Sequence, residues 1–201
     1  MGDLLFIGSC AGKFYALDRA TGKVRWNYDI GRDGKQRSFH GNPLIIDDLI
    51  LIGTDQSCDP EGIGHVYAFE RESGKVRWKY LSTNVPTDIA QLGSTLYFGS
   101  FQDNFSAIDF KTRRPKWSFS TGTSNPNCDL PRSPITYKDN VIIVGLDGTI
   151  FSLDAATGRV RWLRKLVVAP STWLAVREKT LYLGTTDNKL HRINAENGEP
   201  L

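Results

Sequence analysis

Apolar residues in this chain come in short runs that close on glycine: Leu5-Phe6-Ile7-Gly8, Ile50-Leu51-Ile52-Gly53, Leu96-Tyr97-Phe98-Gly99, Ile142-Ile143-Val144-Gly145 and Leu181-Tyr182-Leu183-Gly184. The closing glycines stand 45, 46, 46 and 39 residues apart. No segment of useful length carries the 3.6-residue period of an amphipathic helix, so the pattern predicts an all-β chain. Each repeat reads as four strands, A to D. Strand A is a short piece such as Pro43-Leu44-Ile45-Ile46 or Ser133-Pro134-Ile135-Thr136-Tyr137, and strand B is the glycine-closed run. Strand C leads into an acidic residue, as in Lys13-Phe14-Tyr15-Ala16-Leu17-Asp18, and strand D is the Lys-Val-Arg-Trp stretch. Four-stranded repeats of this length predict β-propeller blades. The blades span about 1–41, 42–86, 87–132, 133–170 and 171–201 of one domain.

The link from C to D is the most regular feature. Ala16-Leu17-Asp18-Arg19-Ala20-Thr21-Gly22-Lys23-Val24-Arg25-Trp26 returns as Ala68 through Trp78, as Ala107 through Trp117 and as Ser152 through Trp162, and a fifth copy begins at Arg192-Ile193-Asn194. Asp-x-x-Thr-Gly predicts a tight turn: carboxylate and hydroxyl accept local backbone N–H groups and Gly takes a positive φ. Alternation in strand D predicts Val24 and Trp26 facing inward, with Lys23 and Arg25 outward as charges that guard an outer edge. The third copy departs from this pattern. Arg113 replaces the turn Gly and Pro115 enters the following strand, which predicts a disturbed turn and a weakened contact for Trp117.

Ala-x-Asp-x-x-Thr-Gly-x-x-x-Trp resembles the tryptophan-docking motif of the pyrroloquinoline-quinone (PQQ) repeat family, and the resemblance spans the whole chain. That family includes quinoprotein alcohol dehydrogenases, BamB-like assembly propellers and sensor domains of bacterial kinases. The resemblance implies that Trp26, Trp78, Trp117 and Trp162 pack between neighbouring blades as structural docking residues. It also implies a periplasmic or extracytoplasmic home. Family propellers close with more blades, so the expectation is a partial ring of about four to five blades, with the first blade lacking A and the last lacking D. Open blade edges of that kind favour self-association.

Length variation falls on one face. From the strand-B Gly to the acidic motif position the distances are 10, 17, 10, 9 and 10 residues, and from Trp to the next Gly they are 27, 21, 28 and 22. The A–B turns (Asp47-Asp48, Gly93-Ser94, Asp139-Asn140) and C–D turns are short, so the B–C and D–A loops are the expected seat of binding. The insertions are residues 31–42, 55–65 and 121–132. Candidate ligand or partner residues stand just before strand A: Arg37, His40, Asn42, Thr87, Asp88, Asp129, Arg132, Ser171, Thr172 and Trp173. Arg37 and Arg132 suit a carboxylate or another small anion. Asp55, Asp59 and Glu61, with His65, offer closely spaced ligands for a cation such as Ca²⁺, though without EF-hand spacing.

Composition narrows the classes. With 25 Lys+Arg against 22 Asp+Glu the net charge is +3, which speaks against a charge-driven nucleic-acid binder. A 40% hydrophobic content supports a packed core, and no apolar run approaches the length of a membrane span. Cys10, Cys58 and Cys128 include no Cys-x-x-Cys pair. They read as free thiols or as one long-range disulfide joining Cys58 to Cys128. The favoured function is a non-catalytic binding or scaffold propeller, BamB-like or sensor-like, with no cofactor and with a protein or small anionic ligand on the long-loop face. The alternative is part of a PQQ-dependent quinoprotein alcohol dehydrogenase, which uses PQQ with Ca²⁺. No adjacent Cys-Cys pair, often found over the quinone in that family, occurs here. A propeller enzyme of another kind, such as one acting on polysaccharide, finds no nucleophile motif in the chain.

Overall fold

The computed structural model describes residues 3–35, 38–56, 59, 62–123 and 129–201. The chain forms two compact units, Met1–Ile89 and Ala90–Leu201. Among the described residues all the regular structure is antiparallel sheet, apart from a single 3₁₀ turn at Ile30–Asp33.

In the first unit, β1 (Leu4–Gly8), β2 (Lys13–Asp18) and β3 (Val24–Asp29) form a three-stranded sheet. Beside them in sequence, β4 (Leu44–Ile46), β5 (Leu49–Gly53), β6 (Ile63–Glu70) and β7 (Val76–Thr83) form a four-stranded one. The second unit holds three sheets. The first is β8 (Ala90–Leu92), β9 (Thr95–Gly99), β10 (Asn104–Asp109) and β11 (Pro115–Ser120). The next is β12 (Ile135–Tyr137), β13 (Asn140–Val144), β14 (Thr149–Asp154) and β15 (Val160–Lys165), and the last is β16 (Ala175–Arg177), β17 (Thr180–Gly184) and β18 (Leu190–Asn194). Strands pair in chain order within every sheet, so the A-to-D reading of each repeat holds. The third A–B turn is Lys138-Asp139, one residue earlier than the pattern suggests, because Asn140 already pairs with Tyr137.

The C–D turn is built five times over. Backbone N–H groups of Gly22, Gly74, Arg113, Gly158 and Gly198 donate to Asp18, Glu70, Asp109, Asp154 and Asn194 carbonyls at 2.8–2.9 Å. Asp18 Oδ1 accepts Thr21 N at 2.9 Å and Thr21 Oγ1 at 2.8 Å, and Asp109 and Asp154 do the same with Thr112 and Thr157. Arg113 takes φ +57°, next to +69° at Gly22, so the third turn keeps its shape despite the missing glycine. The turn hydrogen bonds outweigh the modest left-handed penalty of a non-glycine residue.

Beyond the turn, a β-bulge recurs in four sheets: Ala16 faces Trp26 while Leu17 faces Val24, and the same shift occurs at Ala68, Ala107 and Ser152. The bulge corrects the expected alternation. Val24 is 53% exposed and Val160 44%, because the unpaired residue between each Val and its Trp breaks the period of two. That unpaired residue is basic and swings over the turn acid. Arg77 reaches Glu70 at 2.9 Å and Arg161 reaches Asp154 at 2.6 Å, with Arg25–Asp18 and Lys116–Asp109 longer at 4.0 and 3.8 Å. Arg161 and Thr157 together pull the Asp154 carboxyl down to about 2.

Within each unit the cores lie where successive sheets meet. Phe6, Phe14, Ile50, Ile52, Tyr67 and Phe69 form the first unit's core, and Tyr97, Phe105, Val141, Ile143 and Leu153 one of the second's. At the rim of the three seams within the units stands a half-buried indole. Trp26 Nε1 donates to Arg71 O at 3.0 Å, Trp117 Nε1 to Ala155 O at 3.0 Å and Trp162 Nε1 to Ala195 O at 3.2 Å. Each ring lies flat on the next repeat's turn glycine. A Cβ added at Gly74, Gly158 or Gly198 would meet Trp26, Trp117 or Trp162 at 2.6–2.7 Å, whereas Gly22 has nothing within 4 Å. Trp117 therefore keeps the same carbonyl and glycine contacts as Trp26 and Trp162. Gly22→Ala should cost about 1 kcal/mol for the left-handed φ alone, and Gly158→Ala about 1–2 kcal/mol more for displacing the indole. Urea unfolding of the two variants measures that difference.

Candidate functional site

Two clusters on the B–C and D–A loop side gather most of the residues singled out in the sequence, one in each unit. In the first unit the chain leaves β3 through the 3₁₀ turn into the first long loop. Asp33 in that turn is a hub: its Oδ2 accepts Tyr28 Oη at 2.5 Å and Tyr67 Oη at 2.8 Å, and its Oδ1 pairs with Lys79 Nζ at 2.5 Å. Burial alone would raise the Asp33 carboxyl. The bonds from Lys79, Tyr28 and Tyr67, with Lys79's charge, outweigh it and hold the group below the usual carboxylate range. Further along the loop, Phe39 plugs into the core against Phe14. Its neighbours turn outward to the segment after β5: Ser38 Oγ donates to Asp55 Oδ1 at 3.0 Å, and His40 Nδ1 lies 2.7 Å from Asp55 Oδ2. The loop ends where Asn42 N donates to Asp88 Oδ1 at 2.6 Å and Gly41 packs on the Thr87 backbone.

Several sequence candidates therefore pair with one another. His40 meets Asp55, and Asn42 meets Asp88. Asp55, expected as a cation ligand, has a fully enclosed side chain with one oxygen on Ser38 and the other on His40. Asp59 contributes its carbonyl to Asn84 Nδ2 at 2.7 Å. Among the described residues no group of three or more His, Cys, Asp or Glu is placed to hold a metal ion. Arg37, Glu61, Cys58 and Cys128 lie outside the described residues, and Cys10 is an exposed free thiol. His65 stands in β6 and not in a loop, because the insertion lengthens the β6–β7 hairpin to eight residues a strand. Burial, then the charge of Lys79, pushes its imidazole below the ordinary histidine range. An open cleft of about 540 Å³ runs between Asp33, Gly34 and Lys35 on one wall and Gln56, His65 and Leu81 on the other.

The second unit places Arg132 and Trp173 together. The Arg132 guanidinium lies 5.3 Å over the Trp173 ring, and its Nη2 donates to Pro170 O at 2.8 Å. Arg132 Nε is enclosed without a hydrogen-bond partner. Burial lowers the Arg132 pKa, and the charge of Asp129 acts against that. Trp173 is 50% exposed. Thr172 Oγ1 accepts Gly184 N at 2.9 Å and Ser171 N donates to Gly184 O, so both support the loop beneath the stack.

The sequence reading missed two groups. The Asp33 hub was signalled only by tyrosines at inward strand positions, whose hydroxyls need a partner when buried. Asp103, fully buried at φ +55°, accepts Thr121 Oγ1 at 2.5 Å and Leu146 N at 3.2 Å and so ties three segments together. Burial pushes its carboxyl up.

A family model described as outer membrane protein assembly factor BamB matches residues 1–201. BamB of Shewanella oneidensis is 22% identical over 208 residues, covering 96% of this chain and 49% of that protein. The dehydrogenase subunit of the quinone alcohol dehydrogenase of Gluconacetobacter polyoxogenes is 28% identical over 165 residues, covering 70% of this chain and 21% of that one. The crystal structure of BamB from Moraxella catarrhalis superposes with a TM-score of 0.74 at 22% identity, covering all of this chain and 57% of the other. That likeness makes the fold a β-propeller. The chain thus spans about half the BamB relative and a fifth of the dehydrogenase subunit. Among the described residues no helix is long and apolar enough to cross a membrane.

Proposed function

This chain belongs to the family of outer membrane protein assembly factor BamB, and from that membership we propose that it is a non-catalytic binding or scaffold propeller taking a protein partner on its B–C and D–A loop face. The observation that carries the reading is the Arg132–Trp173 stack. A half-exposed indole under a half-buried guanidinium is the pairing of side chains that dominates protein interfaces. The half-buried Arg132 guanidinium carries a charge that a partner carboxylate would match, and Trp173 offers the apolar contact beside it. Asp129 belongs to the rim of this surface. The five repeats are blades with the boundaries read from the sequence, the indole contacts are the family's tryptophan docking, and the chain works outside the cytoplasm, as the resemblance implies.

The experiment is capture on the immobilised chain from a cell-envelope extract, with retained proteins identified by mass and their affinities then measured one by one. Wild type should hold a partner that the Arg132→Ala/Trp173→Ala variant binds at least about tenfold more weakly, as truncation of two anchors does. Equal affinity would overturn the assignment of the site.

The likeness to the quinone alcohol dehydrogenase subunit supports a second reading, a segment of a quinoprotein dehydrogenase. PQQ with Ca²⁺ would supply hydride or electron acceptance from an alcohol. The predicted cation set does not fit, with Asp55 engaged by Ser38 and His40, and no step is assigned through the group. Titration with PQQ and Ca²⁺ should give no quinone-complex absorbance and no dye-linked alcohol oxidation. Turnover would favour the second reading.

A further inference from the structure

We propose that the basic cleft along the open edge of β18 is a docking site for an acidic, extended segment of a partner protein, which adds to the sheet as a strand antiparallel to β18. The inference is independent of the Arg132–Trp173 reading. β18 differs from its counterparts in the other sheets. β2, β6, β10 and β14 are each paired on both edges, and β3, β7, β11 and β15 cover the edge that corresponds to the open one of β18. Among the described residues β18 pairs along its length with β17, and its other edge carries only the Ile193–Pro200 bridge. At that bridge Leu201 N donates to Arg192 O at 2.9 Å and Asn194 N to Glu199 O at 2.7 Å. Backbone groups of an antiparallel strand alternate between its two edges, so the Leu190 N–H and C=O and the Arg192 N–H point to the same side as Arg192 O. That side is open, and an open edge is a template for a further strand.

Charge says what kind of strand fits. A cleft of about 410 Å³ runs beside β18, and Arg164, Lys165, Lys189 and Arg192 stand around it against one carboxylate, Asp187. That carboxylate is already engaged: Thr185 Oγ1 donates to it at 2.6 Å and Lys189 Nζ lies 3.0 Å away. Lys165 pairs with Asp147. Arg164 donates to a carbonyl, Gly198 O, at 3.2 Å, and the exposed Arg192 side chain enters no ion pair among the described residues. Two guanidinium groups thus face the cleft with no carboxylate to match them, and guanidinium is the group best suited to hold one.

The apolar lining completes the match. Leu166 and Ile193 belong to one buried cluster at the base of the cleft, while Leu190 is 65% exposed at its rim. Successive side chains of β18 fall on opposite faces, with Ile193 on one and Leu190 and Arg192 on the other. A strand laid beside β18 with alternating residues sets its apolar side chains toward Leu166 and Ile193 and its acidic ones next to Arg192, as a cross-strand pair of opposite charges. Lys165 and Lys189 at the mouth add attraction at longer range. A second copy of β18 is a poor occupant, because it would bring Lys189 and Arg192 against like charges.

The test is NMR titration of the full 15N-labelled chain with a capped peptide of about six residues alternating Glu and Val, the length of an ordinary strand. Two control peptides have the same length, one with Lys in place of Glu and one with a central Pro-Pro pair, which removes an N–H donor on either edge. The Glu/Val peptide should bind wild type and protect the Leu190 and Arg192 amides from exchange. The Lys/Val peptide should not bind, and the Pro-Pro peptide should bind at least about tenfold more weakly. Affinity for the Glu/Val peptide should fall at least about tenfold in Lys189→Glu/Arg192→Glu. It should be unchanged in Arg132→Ala/Trp173→Ala, so the two surfaces fail separately. Absence of binding to wild type overturns the proposal, and this outcome does not depend on any variant folding. Equal affinity for the Pro-Pro peptide, or binding that leaves the Leu190 and Arg192 amides unprotected, overturns it as well.

Discussion

Replacing Trp117 by alanine is expected to lower the stability of the Ala90–Leu201 unit by about 3 kcal/mol, read by urea unfolding followed by circular dichroism. The indole packs on Gly158, stands 5.6 Å from the Tyr97 ring and donates to Ala155 O. Alanine removes all three contacts and leaves a groove where two sheets meet. Because one edge of the ring is exposed, the expected value sits at the lower end for a large aromatic in a core. Trp117→Phe keeps most of the packing and should cost about 1 kcal/mol. Ala155 O still accepts Tyr97 Oη at 2.9 Å in that variant, so no buried carbonyl is stranded. A loss below 1 kcal/mol in the alanine variant would mean that the indole is ornamental.

Asp33→Ala should destabilise the Met1–Ile89 unit by a similar amount, about 3 kcal/mol, for a different reason. The carboxylate is the acceptor for two tyrosine hydroxyls and an ammonium at once, and its side chain is only 17% exposed. Tyr67 is fully buried, and its hydroxyl would lose the Asp33 oxygen 2.8 Å away. Asp33→Asn retains an oxygen for one donor and should lose less. The pH dependence has a definite sign. The folded-state pKa is depressed, so the contribution is complete above the unfolded value near 3.8 and is lost as pH falls through the folded one. Wild type should therefore lose stability in acid more steeply than Asp33→Asn.

The fold was legible because each repeat states it independently. Five glycine-closed runs, five C–D turns and a four-strand order agree, and a propeller needs no contact that those patterns do not imply. The bulge was not legible. Val24 and Trp26 look like two inward positions of one strand until the register against Ala16 and Leu17 is known, and register is a property of the pair. Arg113 and Pro115 looked disruptive because residue preference was weighed without the turn's own hydrogen bonds, which Asp109 and Thr112 supply unchanged. At the candidate site the sequence pointed to residues but not to their partners. His40 and Asp55 are 15 residues apart and Arg132 and Trp173 are 41 apart, and only the folding of intervening strands brings each pair together. The Asp33 hub escaped notice because a lone aspartate in a glycine-rich loop carries no spacing that marks it.

Exchange of the indole N–H protons tests most directly whether successive sheets are pinned by docked tryptophans. Nε1–H of Trp26, Trp117 and Trp162, each bonded to a carbonyl of the next repeat, should exchange slowly in 15N-resolved spectra, while the half-exposed Trp173 should exchange at nearly the rate of a free indole. Fast exchange at all four positions would contradict the account.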